Sequence, residues 1–298
     1  MAPLARETRR AQAEGGILQA MKTLSGLWAS RELLANLTSR EIRGKYKRTA
    51  LGQLWSLGNP LALMFIYTFV FSVIFRVQPD PGEPSGLDYF ALWLLCGLLP
   101  WIFMATVLTS GMASLVENAN LIQKVHFNRL VLPLSLVGST AYNWLFEMAV
   151  LIVALTIVGA MIVPWLPLVL VTMALLAMFA AGLALMLSIV NVHFRDTQYF
   201  VTLVLQMWMY LTPIIYPISL VEEQSDKIGG LFGTNVTVAD LYQLNPMTHF
   251  VTVFRRLLYD NRMPEAQEWA WCIGAALVSV ALGLVVFRRN EKKLAELL

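Results

Sequence analysis

Five cations within nine residues, just before the first long apolar segment, are the side chains best placed to bind anions: Arg40, Arg43, Lys45, Lys47 and Arg48. Clustered Lys and Arg beside a membrane helix contact anionic lipid and fix the orientation of that helix. Apolar residues recur at roughly helical spacing from Leu24 to Ile42, which predicts an amphipathic helix in the plane of the membrane interface. Such a charged platform is also accessible to a cytoplasmic partner.

One acid, Glu147, lies near the middle of a predicted membrane span, with Asn143 one turn earlier on the same face. A charge at that depth costs about 2.5–3.5 kcal/mol on insertion scales, so this side chain should be neutral, paired or facing water. Two interpretations stay open. The pair is either a hydrogen-bonded staple to a neighbouring helix or a polar stripe that faces a substrate path.

Adjacent opposite charges, Arg195 and Asp196, occur in the sequence NVHFRDTQ between two apolar segments. Such pairs commonly cap a helix and orient the chain at a junction. They could also form part of a cytoplasmic gate.

Aromatic side chains are frequent inside the apolar segments. Those considered as the lining of a conduit are Tyr67, Phe71, Trp93, Trp101, Trp208 and Tyr210. Flat rings stack on the apolar C–H faces of sugars, and a series of weak contacts allows sliding without trapping, as in conduction. The alternative is that these rings contact lipid or pack between helices.

Several kinds of chemistry have no support in the sequence. There is no GxxxxGK phosphate loop, so the chain itself lacks the usual nucleotide cradle. His126, His193 and His249 are scattered and have no metal-ligand spacing, and Cys96 and Cys272 lie in apolar segments. We therefore expect a protein that is not an enzyme and holds no metal or cofactor of its own.

The elements that must position these residues are membrane helices. Of the 298 residues, 57% are hydrophobic and 14% are charged, and the apolar residues form long blocks. We predict an all-α membrane protein of one domain, with residues 1–55 as cytoplasmic tail and interfacial helix, 56–288 as membrane region and 289–298 as a second tail. The six predicted spans are Asn59–Phe75, Tyr89–Ala113, Pro133–Val163, Trp165–Val190, Phe200–Leu220 and Trp269–Phe287.

The distribution of cations predicts that both chain ends are cytoplasmic. Basic residues concentrate before the first span, in the loops after the second and fourth, and after the sixth, whereas the first outer loop carries only acids. The long third outer loop contains a helix-compatible apolar stretch, Met247–Leu258, introduced by Asn245 and Pro246. We therefore expect short helices there, dipping into the outer leaflet where protein buries their polar backbone.

Four short motifs, in this order along the chain, resemble those of one protein family: SREIRGKYKRTALGQLW at 39–55, LIQKVHFNRLVLP at 121–133, NVHFRD at 191–196 followed by LTPIIYP at 211–217, and LNPMTHFVTVFRRLLY at 244–259. With the six-span topology, the chain resembles the permease subunit of type-2 bacterial ABC exporters of O-antigen, teichoic acid, capsule and related glycans. One departure is Asn128, where that family usually has proline.

The resemblance implies a homodimer in the bacterial cytoplasmic membrane, with two separate ABC ATPase subunits that hold ATP and magnesium. The cargo would be a polyprenyl-diphosphate-linked polysaccharide, and its diphosphate would meet the five cations of residues 40–48 at a cytoplasmic entrance. The ATPase would dock on a coupling loop with Asn120, Leu121, Lys124, Phe127 and Arg129. Asn245 and Pro246 would belong to an outer gate. Contacts with membrane lipid are implied and contacts with nucleic acid are not.

Three alternatives remain at this level. A type-2 exporter of a drug or lipid would share the architecture but would have a closed apolar cavity instead of rings along a conduit. A membrane-embedded enzyme acting on lipid-linked sugars would need acids or histidines gathered at one membrane face, and the sequence scatters them. A scaffold subunit would give no reason for the basic segment.

Overall fold

The computed structural model describes residues 30–76, 81–125, 127–230 and 236–297, and within them it contains helices and connecting segments but no strand. The all-α prediction is confirmed. The α-helices in chain order are α1 Arg31–Lys45, α2 Gly58–Tyr67, α3 Phe90–Glu117, α4 Ala119–Lys124, α5 Val131–Ile157, α6 Leu166–His193, α7 Thr197–Tyr210, α8 Ile218–Ile228, α9 Val238–Gln243, α10 Pro246–Arg255, α11 Ala266–Asn290 and α12 Leu294–Leu297.

Five helical stretches in the described residues are long and apolar enough to cross a membrane. They are Gly52–Ile74, Phe90–Glu117, Val131–Ile157, Val163–His193 and Ala266–Asn290. The first combines a 3-10 turn, α2 and a π-helical stretch, Thr68–Ile74. These stretches correspond to the first, second, third, fourth and sixth predicted spans.

The predicted span Phe200–Leu220 is wrong as one continuous helix. Helix α7 has 14 residues, which is about 21 Å of helix against a hydrocarbon core of about 30 Å, and it ends at Tyr210. Pro213 and Pro217 explain the interruption, because proline removes a backbone donor and disfavours helix at the residue before it. The total of six crossings stays a prediction.

Close contact of small residues holds the central helices together. A Cβ atom added at Gly182 of α6 would lie 2.3 Å from the carbonyl carbon of Ser279 in α11, and one at Gly283 would lie 2.4 Å from the Gly182 oxygen. The Ser279 hydroxyl also donates to the Phe179 carbonyl at 2.7 Å. Small residues let membrane helices approach backbone to backbone, so α6 and α11 form a rigid pair.

Helix α3 packs on both α5 and α6 and has proline at position 100 in its middle. A proline inside a helix leaves the carbonyl four residues earlier, here that of Cys96, without its helical donor. The first span differs from this core, because only 6% of its most apolar window is buried within the chain.

The two faces of the molecule are defined by contacts between distant parts of the chain. On one, here named the terminal face, α1, α4 and α12 share an apolar cluster with the nearby ends of α3, α5, α6 and α11. On the other, named the distal face, residues 81–89, 158–165, 211–230 and 236–265 meet. There the Tyr259 hydroxyl donates to the Leu87 carbonyl, and the Asn261 side chain accepts from the Met161 amide.

Candidate functional site

A cavity of about 570 Å³ lies between α1, the first span, α3 and α5, on the terminal-face side of the membrane region. We name it the inner cavity. Its lining mixes polar and aromatic groups: Lys45, Tyr46, Thr49, Trp55, Ser56, Asn59, Pro60, Ile102, Phe103, Thr106, Thr140, Asn143, Trp144 and Glu147. This size falls within the range of about 300–1,000 Å³ that small-molecule sites occupy.

Both interpretations of Asn143 and Glu147 find support in the inner cavity. The Tyr46 hydroxyl donates to Asn143 Oδ1 at 3.1 Å, which staples the end of α1 to α5. Glu147 is buried, lines the same cavity and interacts electrostatically with Lys45. Burial first, and then the negative charge of Glu147, raise the pKa of Tyr46, so its hydroxyl keeps the proton that it donates.

The five basic residues of the segment 40–48 do not form one cluster. Lys45 is the only one of them that lines the inner cavity, while Arg40 pairs with Glu41 at 2.7 Å and reaches Asn118 Oδ1 at 3.4 Å. Arg43, Lys47 and Arg48 are exposed and form no ion pair within the described part of the chain. The predicted interfacial helix begins, as far as it is described, at Arg31, and its earlier residues lie outside the described range.

The predicted coupling loop has an exposed side and a buried side. Asn120 and Lys124 on α4 are exposed, whereas Leu121 and Phe127 pack on the apolar cluster of the terminal face. Arg129 is half-buried and donates through Nη1 to the backbone carbonyl of Glu291. The loop is therefore tied to the end of α11 as well as to α1.

Arg195 and Asp196 form a tight connection between α6 and α7. Both are exposed, and neither forms an ion pair in the described residues. Asp196 occupies the N-cap position of α7, but its side chain makes no capping hydrogen bond. The pair therefore lies at the junction of α6 and α7, but it does not cap α7 through the Asp196 side chain.

The predicted conduit aromatics occupy three different environments. Trp93 and Trp101 are buried in the core of the subunit, and Trp101 meets Trp208 edge to face at 5.8 Å. Tyr67 and Phe71 of the first span are half-buried and pack edge to face at 6.3 Å. Tyr210 is exposed at the end of α7. Two groups of these rings are in contact: Trp101 with Trp208, and Tyr67 with both Phe71 and Tyr210.

Asn245 of the predicted outer gate joins three segments at the distal side. Its Oδ1 accepts from the Trp208 indole at 2.8 Å and from the Met247 amide at 3.0 Å. Its Nδ2 donates to the Leu211 carbonyl and to the Thr212 hydroxyl. Pro246 fills the first position of α10, where its missing N–H has no cost. Asn245 thus connects the end of α7, the turn after it and the start of α10.

Helix α10 confirms the short outer-loop helices, and it is deeply buried. Met247, Phe250, Val251 and Phe254 have no exposed surface. His249 stacks on Trp271 of α11, with ring centroids 5.0 Å apart, and its Nε2 lies 2.8 Å from the Gln243 carbonyl. The described residues contain no group of three His, Cys, Asp or Glu suited to a metal ion, and His126 lies outside them.

Sequence reasoning missed Arg255, the most deeply buried cation of the described residues. Its guanidinium lies 3.4 Å from the centre of the Trp93 ring. It donates to the Pro213 and Ile214 carbonyls, both at 2.6 Å, which satisfies non-helical backbone after α7. A cation inside an apolar, helix-compatible stretch was the available signal, since charges at membrane depth are mostly functional or paired.

Arg255 lines a second cavity, also of about 570 Å³, which we name the distal cavity. The other lining residues are Pro81, Glu83, Trp93, Pro213, Pro217, Ile218, Ser219, Thr252, Arg256, Asp260 and Arg262. Arg256 forms ion pairs with Glu265 and Glu268, and Arg262 pairs with Asp260 at 3.3 Å.

Comparison with known proteins adds a family and named relatives. The O-antigen export system permease protein of Myxococcus xanthus is 27% identical over 270 residues, which cover 91% of this chain and 96% of that protein. One from Klebsiella pneumoniae is 28% identical over 90% of this chain and 95% of its own length. The polysialic acid transport protein of Escherichia coli is 25% identical over 90% of this chain and 97% of its own.

The family itself is identified by a match across most of the chain. The sequence pattern of the ABC-2 type transporter family matches residues 32–259, from α1 into the π-helical turn that follows α10. This match confirms the resemblance that the four motifs predicted, and it places the chain among transporters rather than enzymes. The chain belongs to the ABC-2 type transporter family.

Proposed function

We propose that this chain is the permease subunit of an ABC exporter that moves polyprenyl-diphosphate-linked polysaccharide across the bacterial cytoplasmic membrane. Membership of an ABC transporter family implies an ABC ATPase as partner. Two copies of the permease would form the path and two ATPase subunits would supply the energy.

The cargo class is carried by one observation, the near full-length likeness to polysaccharide transporters. Relatives named for O-antigen export and for polysialic acid transport each align over 90% or more of this chain. Their names favour a glycan over the drug or lipid of the alternative interpretation. The inner cavity supports the same choice, because Thr106, Thr140 and Asn143 give it hydrogen-bonding groups beside Trp55 and Trp144.

The orientation of the chain follows from its cations. The terminal face carries Lys and Arg before the first span, in the 118–130 connection and after α11. By the positive-inside rule this face is cytoplasmic, and the distal face is external. The inner cavity then opens near the cytoplasm, where a lipid-linked glycan is made.

Self-association would cover surface that one subunit leaves open. In the first span Phe65, Phe69 and Val73 are exposed, and in α7 Tyr199 and Phe200 are exposed. Lipid covers part of such surface in any membrane protein. In a dimer whose subunits meet along these elements, the half-buried Tyr67 and Phe71 would lie beside a shared path. The predicted conduit would then be formed by the two subunits together.

ATP-driven movement would enter through α4. Its exposed side offers Asn120 and Lys124 to a partner, while its buried side shares an apolar cluster with α1 and with the ends of α3, α5, α6 and α11. A push on α4 therefore reaches four membrane helices at once. ATP binding would shift the population of permease conformations through this contact.

Within the basic segment, Lys45 is the residue placed to meet a diphosphate, because it alone of the five lines the inner cavity. Charge-assisted bonds to phosphate oxygens are strong, and lysine is a common phosphate ligand. Arg43, Lys47 and Arg48 would act earlier, by attracting the headgroup and anionic lipid to the entrance.

The cargo is tested with the permease and its ATPase co-purified and reconstituted in proteoliposomes. We expect ATP turnover to rise with polyprenyl-diphosphate-linked glycan and to stay at its basal rate with small lipophilic drugs. Stimulation by the drugs and not by the glycan would contradict the proposal and favour the alternative exporter.

The role of Lys45 is tested by Lys45→Gln against Lys47→Gln, which removes an equal charge two residues away and outside the cavity. We expect Lys45→Gln to raise the glycan concentration for half-maximal ATP turnover about tenfold, equivalent to about 1.4 kcal/mol of binding. Lys47→Gln should change it less than about threefold. Equal effects would show that only the general charge of the segment matters.

The docking surface is tested by Lys124→Glu on α4, with Lys227→Glu on the distal helix α8 as a matched charge reversal. Both lysines are exposed, so neither change should affect folding. We expect Lys124→Glu alone to weaken co-purification of the ATPase. Normal ATPase recovery with Lys124→Glu would remove α4 from the interface.

A further inference from the structure

The distal cavity has a function that neither the family nor the sequence motifs assign. We infer that it is an anion-binding site in which Arg255 receives the phosphate or diphosphate group of an amphiphile at the outer leaflet. The identity of the amphiphile rests on the proposed function, whereas the binding of the anion does not.

The first argument is that Arg255 is a buried cation that forms no ion pair, although Asp260 acts on it electrostatically from a greater distance. Only 9% of the residue is exposed, and no carboxylate of the described residues lies within ion-pair distance. A buried charge is costly unless it is paired and fully hydrogen-bonded. The Trp93 face and two carbonyls supply part of the compensation. An anion would supply the rest.

The second argument is that the guanidinium has donors left over. Arginine carries five N–H groups, and here two bonds, to Pro213 and Ile214, are formed. The Nε atom is buried and has no hydrogen-bond partner in the described residues. Because Nε is not accessible to solvent, the donors left for a ligand in this conformation are the second N–H groups of Nη1 and Nη2. Arginine binds phosphate through two parallel N–H bonds of this kind.

The third argument is that the chain makes room for this guanidinium beside a cavity. Gly97 of α3 has no side chain there, and a Cβ atom at that position would lie 3.1 Å from Arg255 Nη2. The cavity of about 570 Å³ is large enough for a diphosphate headgroup. Ser219 adds a hydroxyl group to its lining, whereas the Thr252 hydroxyl is already bonded to the Thr248 carbonyl at 2.8 Å.

Among the cations of the lining, Arg255 is the one that forms no ion pair in the described residues. Three arginines face two acids, Asp260 and Glu83, and of these acids Asp260 is already paired with Arg262. Arg256 is held by Glu265 and Glu268, so it contributes to the field more than to direct binding. Arg255 is thus the cation of this cavity that a ligand can pair with.

The test places a tethered carboxylate in the cavity while leaving Arg255 untouched. Thr252→Glu puts an acid where the ligand would lie, and Thr252→Gln is the neutral control of nearly equal shape. Both are made in full-length permease carrying Lys45→Gln, so that binding at the inner cavity does not contribute. The protein is held in nanodiscs of uncharged lipid, without ATPase or glycan.

Binding of inorganic diphosphate is measured by calorimetric titration. We expect Thr252→Gln to keep the affinity of the Lys45→Gln protein and Thr252→Glu to lower it at least about tenfold. Thr252→Glu should also raise the midpoint of thermal unfolding, because the new carboxylate pairs with Arg255. Equal affinities for the Glu and Gln variants, or no diphosphate binding before either change, would overturn the inference.

The source of the anion is resolved by competition in the same nanodiscs. Displacement of diphosphate by phosphatidylglycerol identifies a membrane phospholipid as ligand, and displacement only by a short-chain polyprenyl diphosphate identifies the carrier lipid of the cargo. Failure of both lipids to compete would overturn the assignment to an amphiphile. Because no transport is measured, an error in the proposed function leaves this result interpretable.

Discussion

The inner and distal cavities have the same volume, about 570 Å³, and both touch α3, yet they hold their central cations in opposite ways. Lys45 is exposed at the cavity wall and reaches Glu147 only electrostatically. Arg255 is fixed by two carbonyls and a tryptophan face. A loosely held lysine suits a site that must capture and release, whereas a fixed guanidinium suits a site that recognises one geometry.

The walls of the two cavities differ in how firmly they are packed, as their central cations differ in how firmly they are held. The inner cavity borders the first span, which is scarcely packed within the subunit, so its wall can move at little cost. The distal cavity borders α10, the turn after α7 and the core side of α3, whose side chains are mostly buried. Conformational freedom therefore lies at the inner site and rigidity at the distal one.

The largest effect is expected from breaking the frame that both cavities share. In Gly182→Val the new side chain would meet the α11 backbone, so the cost should exceed the ~1–3 kcal/mol of ordinary overpacking. We expect little folded permease by size-exclusion chromatography in detergent. Gly274→Ala in α11 is the control, since nothing lies within 4 Å of its added methyl group. Normal yield of Gly182→Val would mean that α6 and α11 do not pack as a rigid pair.

A loss of stability of intermediate size is expected from a substitution at the distal face, and none from a matched substitution at the inner cavity. Asn245→Ala leaves the Trp208 indole, the Leu211 carbonyl and the Thr212 hydroxyl without this partner, which should cost about 1–3 kcal/mol. We expect a lower midpoint of thermal unfolding of the purified permease. Asn59→Ala is matched to it, because Asn59 is exposed at the inner cavity, and it should leave the midpoint unchanged. A similar decrease of the unfolding midpoint in both variants would contradict the difference in rigidity between the distal and the inner region.

The smallest effect is expected from Tyr46→Phe, which removes one hydroxyl from the inner cavity. Losing the bond to Asn143 should cost about 0.5–1.5 kcal/mol of the free energy of unfolding. Because the folded-state pKa of Tyr46 is raised, this contribution is fully present below about pH 10 and declines above it. Denaturant unfolding at several pH values measures it, with Tyr142→Phe as control. A deficit that grows with rising pH would contradict the donor role of Tyr46.

The sequence was informative wherever the bilayer itself imposes a pattern. Five of the predicted spans and the helix after Asn245 follow from apolar length and from the Asn–Pro start signal. The end of α7 at Tyr210 was missed, although Pro213 and Pro217 marked it, because the apolar run continues through them.

The roles of single side chains were less accessible, because they depend on chain segments far apart in sequence. Arg255 takes its environment from Trp93, Gly97 and Pro213, which only the burial of α10 brings together. Trp101 could not be recognised as a core residue before the position of Trp208 was known. Lys45 could not be distinguished from Lys47 until the first turn after α1 was defined.

Pro100 places a point of easy bending in α3, between the two cavities. It lies between Trp93, which lines the distal cavity, and Ile102, Phe103 and Thr106, which line the inner one. A helix bends most easily where proline removes a backbone bond. Bending at this position would widen one cavity while it narrows the other. The inner and distal cavities would then not be open at the same time.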